Sequence, residues 1–306
     1  VLSILAPSRH FWYTFYSRIP YLSIQGGERK ELFKRVKGQK LKLEGFNNLT
    51  KTLSFNIYDI CYARSKESQI DYLEYVDEEY NSERLQQIVE EVCRIIDAKL
   101  VNISTQDYEP RGASVVALIN EGQSYMEKLH YEGGISKTTD GQQKLVAPGL
   151  IGHLDKSHIT IHTYPEHNIS TGIATFRVDI DISTCGMISP LNALHYLIGS
   201  FDSDVVLMDY RVRGFTRDSR GKKVFIDHDI TSIQDYISED VLSEYLAYDI
   251  NIISDNIFHT KMKKKNIKLK NYLFGPEVEH LSSKEKKAIK EMLKMEMQEI
   301  FECKNL

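Results

Sequence analysis

Strands and helices mix along this sequence without strict βαβ alternation, and that predicts an α+β fold. The expected form is a layered fold with a largely antiparallel sheet. Three observations carry the prediction. Phe176–Ile182 alternates cleanly, with Phe176, Val178, Ile180 and Ile182 on one side and Arg177, Asp179 and Asp181 on the other, the pattern of a half-buried strand. Leu85, Ile88, Val89, Val92, Ile95 and Ile96 recur at helical spacing behind Asn81 and Ser82, either of which can cap a helix running to about Asp97. No P-loop and no GxGxxG occurs among the 306 residues, so the phosphate-cradling turns of doubly wound folds are missing.

The remaining elements follow in order. LSFNIYDICY (Leu53–Tyr62) alternates and reads as a strand. Lys99–Ser104 and Gly112–Ile119 are short strands, and residues 120–149, with Gly122, Gly133, Gly134, Gly141 and Pro148, read as a long surface insertion. SHITIHTY (157–164) is a strand. Ser189-Pro190 opens a helix, with proline at its first position. Val205–Val212 and Lys223–Ile226 read as strands that pair across the polar stretch at Asp218–Gly221. Ser282 and Glu285 form a capping-box pattern ahead of Ile289, Leu293, Met297 and Ile300. Residues 1–38 read as an N-terminal extension outside the fold, and 39–306 as one domain.

Composition narrows the function. A chain with 42% hydrophobic and 27% charged residues can bury a core. The net charge of −4 argues against a generally basic nucleic-acid binder. Cys61, Cys93, Cys185 and Cys303 stand far apart with no CxxC pair, which disfavours a zinc ribbon or a disulfide scaffold and fits reduced thiols in a cytoplasmic protein. No apolar run reaches the roughly 18–20 residues of a membrane span. The run KMKKKNIKLK (Lys261–Lys270) reads as a solvated face, and Met292, Met295 and Met297 as helix core.

The stretch from His153 to Glu166 is the informative one: three histidines, a serine and a carboxylate within 14 residues, with Cys185 following in Ser183-Thr-Cys-Gly186. Three readings stay open on the residues alone. His158 and His162 share a strand face but stand about 13–14 Å apart, too far for one metal. A Cys–His hydrolase would use Cys185 as nucleophile. A half-buried strand with polar residues toward solvent needs no site at all.

Lys156-Ser-His-Ile-Thr-Ile-His-Thr-Tyr-Pro-Glu166 resembles the self-cleavage site of bacterial S-adenosylmethionine decarboxylases, and Ser183-Thr-Cys-Gly186 follows at the spacing of the long-chain, enterobacterial-type subgroup. Gly45–Lys51 (GFNNLTK), Ile57–Ala63, Gln106–Ser114, Asp209–Asp218 and Asn256–Met262 resemble that subgroup too, so the likeness runs from about Lys40 to Glu302. Residues 1–38 and 120–149 lie outside it.

These are pyruvoyl enzymes, and the resemblance implies an α+β fold in the form of a layered α/β sandwich with a mainly antiparallel sheet covered by helices, and the following chemistry. Ser157 attacks the carbonyl of Lys156, the amide becomes an ester, and β-elimination cuts the chain into a β chain (1–156) and an α chain (157–306) that starts with a pyruvoyl group. His162 matches the processing histidine that removes the α-proton, and Ser114 a serine that assists processing. The pyruvoyl carbonyl forms a Schiff base with the substrate amine and acts as electron sink for decarboxylation. Cys185 matches the donor that protonates the product carbanion, Glu166 a carboxylate on the ribose hydroxyls, and Tyr108 an aromatic ring for the adenine. The product, decarboxylated S-adenosylmethionine, feeds spermidine synthesis. Homo-oligomers of αβ units and Mg²⁺ as an activator are implied as well, without an identifiable metal site; neither nucleic acid nor membrane is an expected partner. A pyruvoyl decarboxylase of another amino acid, an uncleaved non-enzymatic binding relative and a Cys185 hydrolase are the alternatives. One geometric difficulty is already visible: Ser157 and His162 differ by five, so in a regular strand they face opposite sides. A bulge or another chain must intervene.

Overall fold

A computed structural model of the chain describes residues 47–121 and 157–306. Nine strands form one sheet in the order β2-β3-β4-β5-β1-β6-β10-β9, with β11 added alongside β1. The strands are β1 (Thr50–Ala63), β2 (Ala98–Asp107), β3 (Ala113–Glu121), β4 (Ser157–His167), β5 (Ile173–Thr184), β6 (Val205–Arg213), β9 (Tyr245–Asp249), β10 (Ile257–Lys264) and β11 (Leu273–Phe274). Every pairing in the sheet is antiparallel except β1 with β11.

The alternation in β1 and β5 sends the two faces of the sheet to different partners. Leu53, Phe55, Ile57, Val178, Ile180 and Ile182 face a core shared with helices α1 (Lys66–Glu79), α2 (Ser82–Ile96) and α3 (Leu194–Ser200). Ile60, Ile173 and Val205 face the opposite way. They are covered by Ile289, Leu293, Met297 and Phe301 of α5 (Ser283–Glu302), the last helix after the one-turn α4 (Glu239–Glu244). Burial of side chains of this size contributes about 1.5–3 kcal/mol each. The result is an α/β sandwich whose second helical layer packs mainly on β1, β6 and β10 and reaches Ile173 of β5.

Local signals fix the helix ends. Asn81 caps α2 by accepting the Arg84 N–H (2.9 Å), and Ser282 and Glu285 close the reciprocal box at α5. Helix α1 is not anticipated from the sequence. Its buried stripe is thin (Ser68, Gln69, Tyr72, Leu73, Val76) and interrupted by acids. A remote residue secures its start: Glu277 accepts from the Ser65 N–H (2.9 Å) and the Ser68 hydroxyl (2.9 Å).

Two sequence expectations are corrected. Val205–Val212 does not pair with Lys223–Ile226: β6 lies between β1 and β10, while Lys223–Val224 (β8) forms a separate two-stranded ribbon with Thr216–Arg217 (β7). The buried, alternating β6 satisfies both its edges inside the main sheet, which leaves the polar 216–224 stretch to pair with itself. The lysine run is not simply a solvated face either. It lies on β10 and the residues after it, where Lys264 meets Asp204 at 3.2 Å and Lys261 donates to the Phe301 carbonyl at 3.2 Å. The 120–149 insertion, apart from Asn120 and Glu121 at the end of β3, and the 1–38 extension lie outside the described residues.

Candidate functional site

The site is built on β3, β4 and β5. Along β4, Ser157, Ile159, Ile161 and Thr163 point into the helix-covered core, while His158, Thr160, His162, Tyr164 and Glu166 lie on the other face. The registers of β4 with both neighbours run without a shift, so no bulge brings the two series together. Five residues of strand also separate Ser157 from His162 by about 16 Å. The sequence-predicted site therefore falls into two groups.

The first group surrounds Ser157, which is 1% exposed at the start of β4. Its Oγ lies 3.3 Å from the Cys185 Sγ and accepts the Cys185 N–H at 3.2 Å. Cys185 directly follows β5, whose Ser183 stands opposite His158. A thiol of intermediate exposure thus faces a buried hydroxyl. In a pyruvoyl group the side-chain carbon carries no oxygen and the carbonyl stands on the α-carbon, so the Cys185 N–H and Sγ, which flank the Ser157 side chain, border the place such a group would occupy. Lys156, on the other side of the scissile bond, and His153 lie outside the described residues.

The second group lies on the opposite face. Ser114 of β3 is the direct cross-strand partner of His162, and cross-strand partners point to the same side. The Tyr108 hydroxyl lies 2.9 Å from His162 Nδ1. Tyr108 sits in the turn between β2 and β3, which is pinned to β4 and to α1: Ala113 N–H donates to Thr163 Oγ1 (2.8 Å), and Gly112 N–H to Asp77 of α1 (2.6 Å). Gly112 has φ +100°, and a Cβ there would stand 2.5 Å from the Thr163 carbonyl oxygen. Only glycine lets the turn approach closely enough to put Tyr108 on His162. Glu166, four residues on from His162 on the same face, edges a cleft with His167, Asn168, Ser170, Thr175 and Glu296. Burial, with Glu299 and Glu166 nearby, pushes the Glu296 carboxyl up.

The sequence reading gave no role to Lys51, Asn47 or Asp227, which lie behind Cys185. Lys51 is 2% exposed and donates to the carbonyls of Gly186 (2.8 Å) and Ile188 (3.2 Å) while pairing with Asp227 at 2.8 Å. One signal was present: Lys51 occupies the inward-facing series of β1 with Leu53, Phe55 and Ile57. Of the other cysteines, Cys61 and Cys93 behave as packing residues, whereas Cys303 is exposed at the end of the last helix. Cys61 and Cys93 are buried, and burial pushes the Cys93 thiol up to about 12. Among the described residues, no group of three or more His, Cys, Asp or Glu is placed to hold a metal ion, and no helix is long and apolar enough to cross a membrane.

Comparison with known proteins decides the family. The S-adenosylmethionine decarboxylase family profile matches residues 70–214. The S-adenosylmethionine decarboxylase proenzyme of Clostridium botulinum (strain Eklund 17B / Type B) is 56% identical over 269 residues, covering 87% of this chain and 97% of the relative. This chain belongs to the S-adenosylmethionine decarboxylase family. The proenzymes of Heliobacterium modesticaldum (56% over 281 residues, 88% and 97% covered) and Stenotrophomonas maltophilia K279a (53% over 267 residues, 87% and 97% covered) are similar to the same extent. A crystal structure of the adenosylmethionine decarboxylase from Aquifex aeolicus aligns over 61% of this chain and 100% of its own, at 16% identity and a TM-score of 0.28.

Proposed function

We propose that this chain is a self-processing S-adenosylmethionine decarboxylase that makes its own pyruvoyl group from Ser157. The observation that carries the reading is the contact between Ser157 and Cys185, in a chain 56% identical to named proenzymes over nearly their full length. In the precursor, Ser157 Oγ adds to the carbonyl of residue 156 and the amide nitrogen leaves as the amine, giving an ester. Removal of the Ser157 α-proton then expels residue 156 as a carboxylate, and the new terminus loses ammonia on hydrolysis. The pyruvoyl group supplies a carbonyl that condenses with the substrate amine and takes up the electrons left by departing CO₂.

The chain's own residues do the rest. Cys185 holds a proton at Sγ beside position 157. A thiol can act as a general acid. The buried surroundings keep water away from the reacting carbon. His162, Ser114 and Tyr108 serve the elimination step, with Tyr108 fixing the ring of His162 through Nδ1. Glu166 is available on the same face for the ribose hydroxyls. Because His162 lies on the far face of β4, these groups act on the Ser157 of a second copy, and the working site is shared between two chains. Among the described residues, no group of three or more His, Cys, Asp or Glu is placed to hold Mg²⁺. A cytoplasmic setting suits four cysteines that form no disulfide.

The test is CO₂ release from S-adenosylmethionine, arginine and ornithine by the purified protein. Turnover of S-adenosylmethionine alone is the expected result. Turnover of arginine or ornithine instead would assign a different substrate, and none in a cleaved, pyruvoyl-bearing protein would refute the activity.

A further inference from the structure

Behind Cys185, the turn Gly186–Ile188 is held by groups that the chemistry at Ser157 does not itself use. Gly186 has φ +70°, and its carbonyl accepts from both Lys51 Nζ (2.8 Å) and Asn47 Nδ2 (3.0 Å). The Ile188 carbonyl accepts from Lys51 Nζ (3.2 Å) and Thr184 Oγ1 (3.1 Å). Asp227 completes the set, taking Lys51 at 2.8 Å and Asn47 at 2.7 Å on one oxygen and His228 Nδ1 at 2.8 Å on the other. The Tyr210 hydroxyl meets the far side of the His228 ring at 3.1 Å.

Burying an ammonium and a carboxylate in a sheet core is a poor route to stability, since desolvation offsets most of their attraction and an apolar pair packs as well. Geometry gives a different reason for the pair. All three N–H donors of Lys51 are used, and two of them end on the turn that begins one residue after the thiol. On the thiol's other side, the Cys185 N–H is tied to the Ser157 hydroxyl in the uncut chain. That oxygen leaves with residue 156 on cleavage, so in the mature chain the turn held by Lys51 anchors Cys185.

We propose that Lys51, with Asn47 and Asp227, is the positioning device for the Cys185 thiol, keeping Sγ aimed so that its proton goes to the product carbon and not to the carbon of residue 157. This rests on the reading of Cys185 as proton donor. Protonation at the wrong carbon, followed by hydrolysis, leaves the substrate nitrogen on the chain. The α chain then carries an alanyl terminus, C=O replaced by CH–NH₂, about 1 Da heavier than the pyruvoyl form.

The experiment compares Lys51→Met, Asp227→Asn and Asn47→Ala with Cys185→Ala and the unsubstituted protein. It measures cleavage by intact mass, kcat and KM, and the fraction of α chains converted to the alanyl form per turnover. The expected result is that cleaved Lys51→Met converts about tenfold more often per turnover, with KM within about threefold, and that Asp227→Asn and Asn47→Ala follow by about two- to threefold. A conversion ratio equal to the unsubstituted protein in these variants, while Cys185→Ala raises it, overturns the positioning role and leaves the donor reading intact. An unchanged ratio in Cys185→Ala overturns the donor reading, and the positioning role with it. If Lys51→Met does not fold, Asp227→Asn and Asn47→Ala, which keep the lysine, decide the matter by the same ratio.

Discussion

The head and the middle of strand β4 differ in almost every physical respect. At Ser157 the side chain is sealed under the helical layer beside Cys185, and ordinary packing parity puts it there. At His162 the side chain is half-buried on the open face, held by Ser114 opposite and by the Tyr108 hydroxyl. One strand with period two cannot present both to a single point. The comparison teaches that the two groups lie on opposite faces of one strand; on the proposed reading each is a half-site, and a second copy unites them.

The sharpest way to break this picture is complementation. Ser157→Ala alone leaves one uncut chain without activity, and His162→Ala alone stalls at the ester, so that hydroxylamine releases two pieces. Co-expressed, the Ser157→Ala chain supplies His162 to its partner's Ser157, and the His162→Ala chain is cut. If it stays uncut in the mixture, the two half-sites do not meet between chains.

Cys185→Ala acts on the other half-site. It leaves cleavage largely intact and lowers kcat by about 10²-fold, the ordinary scale for losing one general acid, as read by CO₂ release. Unchanged turnover would remove the thiol from the reaction.

Gly112→Ala sharpens the contrast further. Its Cβ would meet the Thr163 carbonyl oxygen at 2.5 Å from a left-handed backbone, and strain of this kind costs about 1–3 kcal/mol. Self-cleavage slows because Tyr108 and His162 shift, while the rate of Cys185 alkylation by iodoacetamide stays that of the unsubstituted chain. Equal disturbance of both rates would show that the half-sites are not mechanically separate.

The smallest effects are pH slopes in stability at two buried carboxylates. Burial pushes the Asp227 carboxyl up, but the hydrogen bond to His228 and the charge of Lys51 more than offset it, leaving it well below the usual range. That stability is present above the unfolded pKa of about 4 and lost as pH falls. Asp59 is the reverse: burial, then Asp204 and Asp202, hold its carboxyl well above the usual range. Its contribution is full below about pH 4 and lost as pH rises through the folded-state pKa. Urea midpoints measured across pH should lose the acid-side slope in Asp227→Asn and the opposite slope in Asp59→Asn. Slopes that survive both substitutions would assign the pH dependence elsewhere.

Much of this was legible in the residues. Alternation in 176–182 and the capping signals at Asn81 and Ser282–Glu285 are local, and local signals survive into the fold. Helix α1 was not legible because its start is secured by Glu277, about two hundred residues away. The pairing of β6 was misread because strand partners are chosen by the whole sheet, and a polar turn between two strand-like segments is only a local argument. In the site, spacing alone put Ser157 and His162 on opposite faces. The approach of Cys185 to Ser157 depends on β5 pairing with β4, and the resemblance, not the spacing, pointed to it. Lys51 carried one clue, a charge in an inward series, but its targets are backbone carbonyls that no motif displays.

The central claim, that Ser157 is converted to a pyruvoyl group, is tested most directly by the denatured intact mass of the purified protein. The account predicts two masses, with the 157–306 piece about 17 Da lighter than a serine-started chain, the difference that loss of ammonia makes. A single uncut mass, 35.4 kDa for these 306 residues, would contradict it, as would two pieces without that loss.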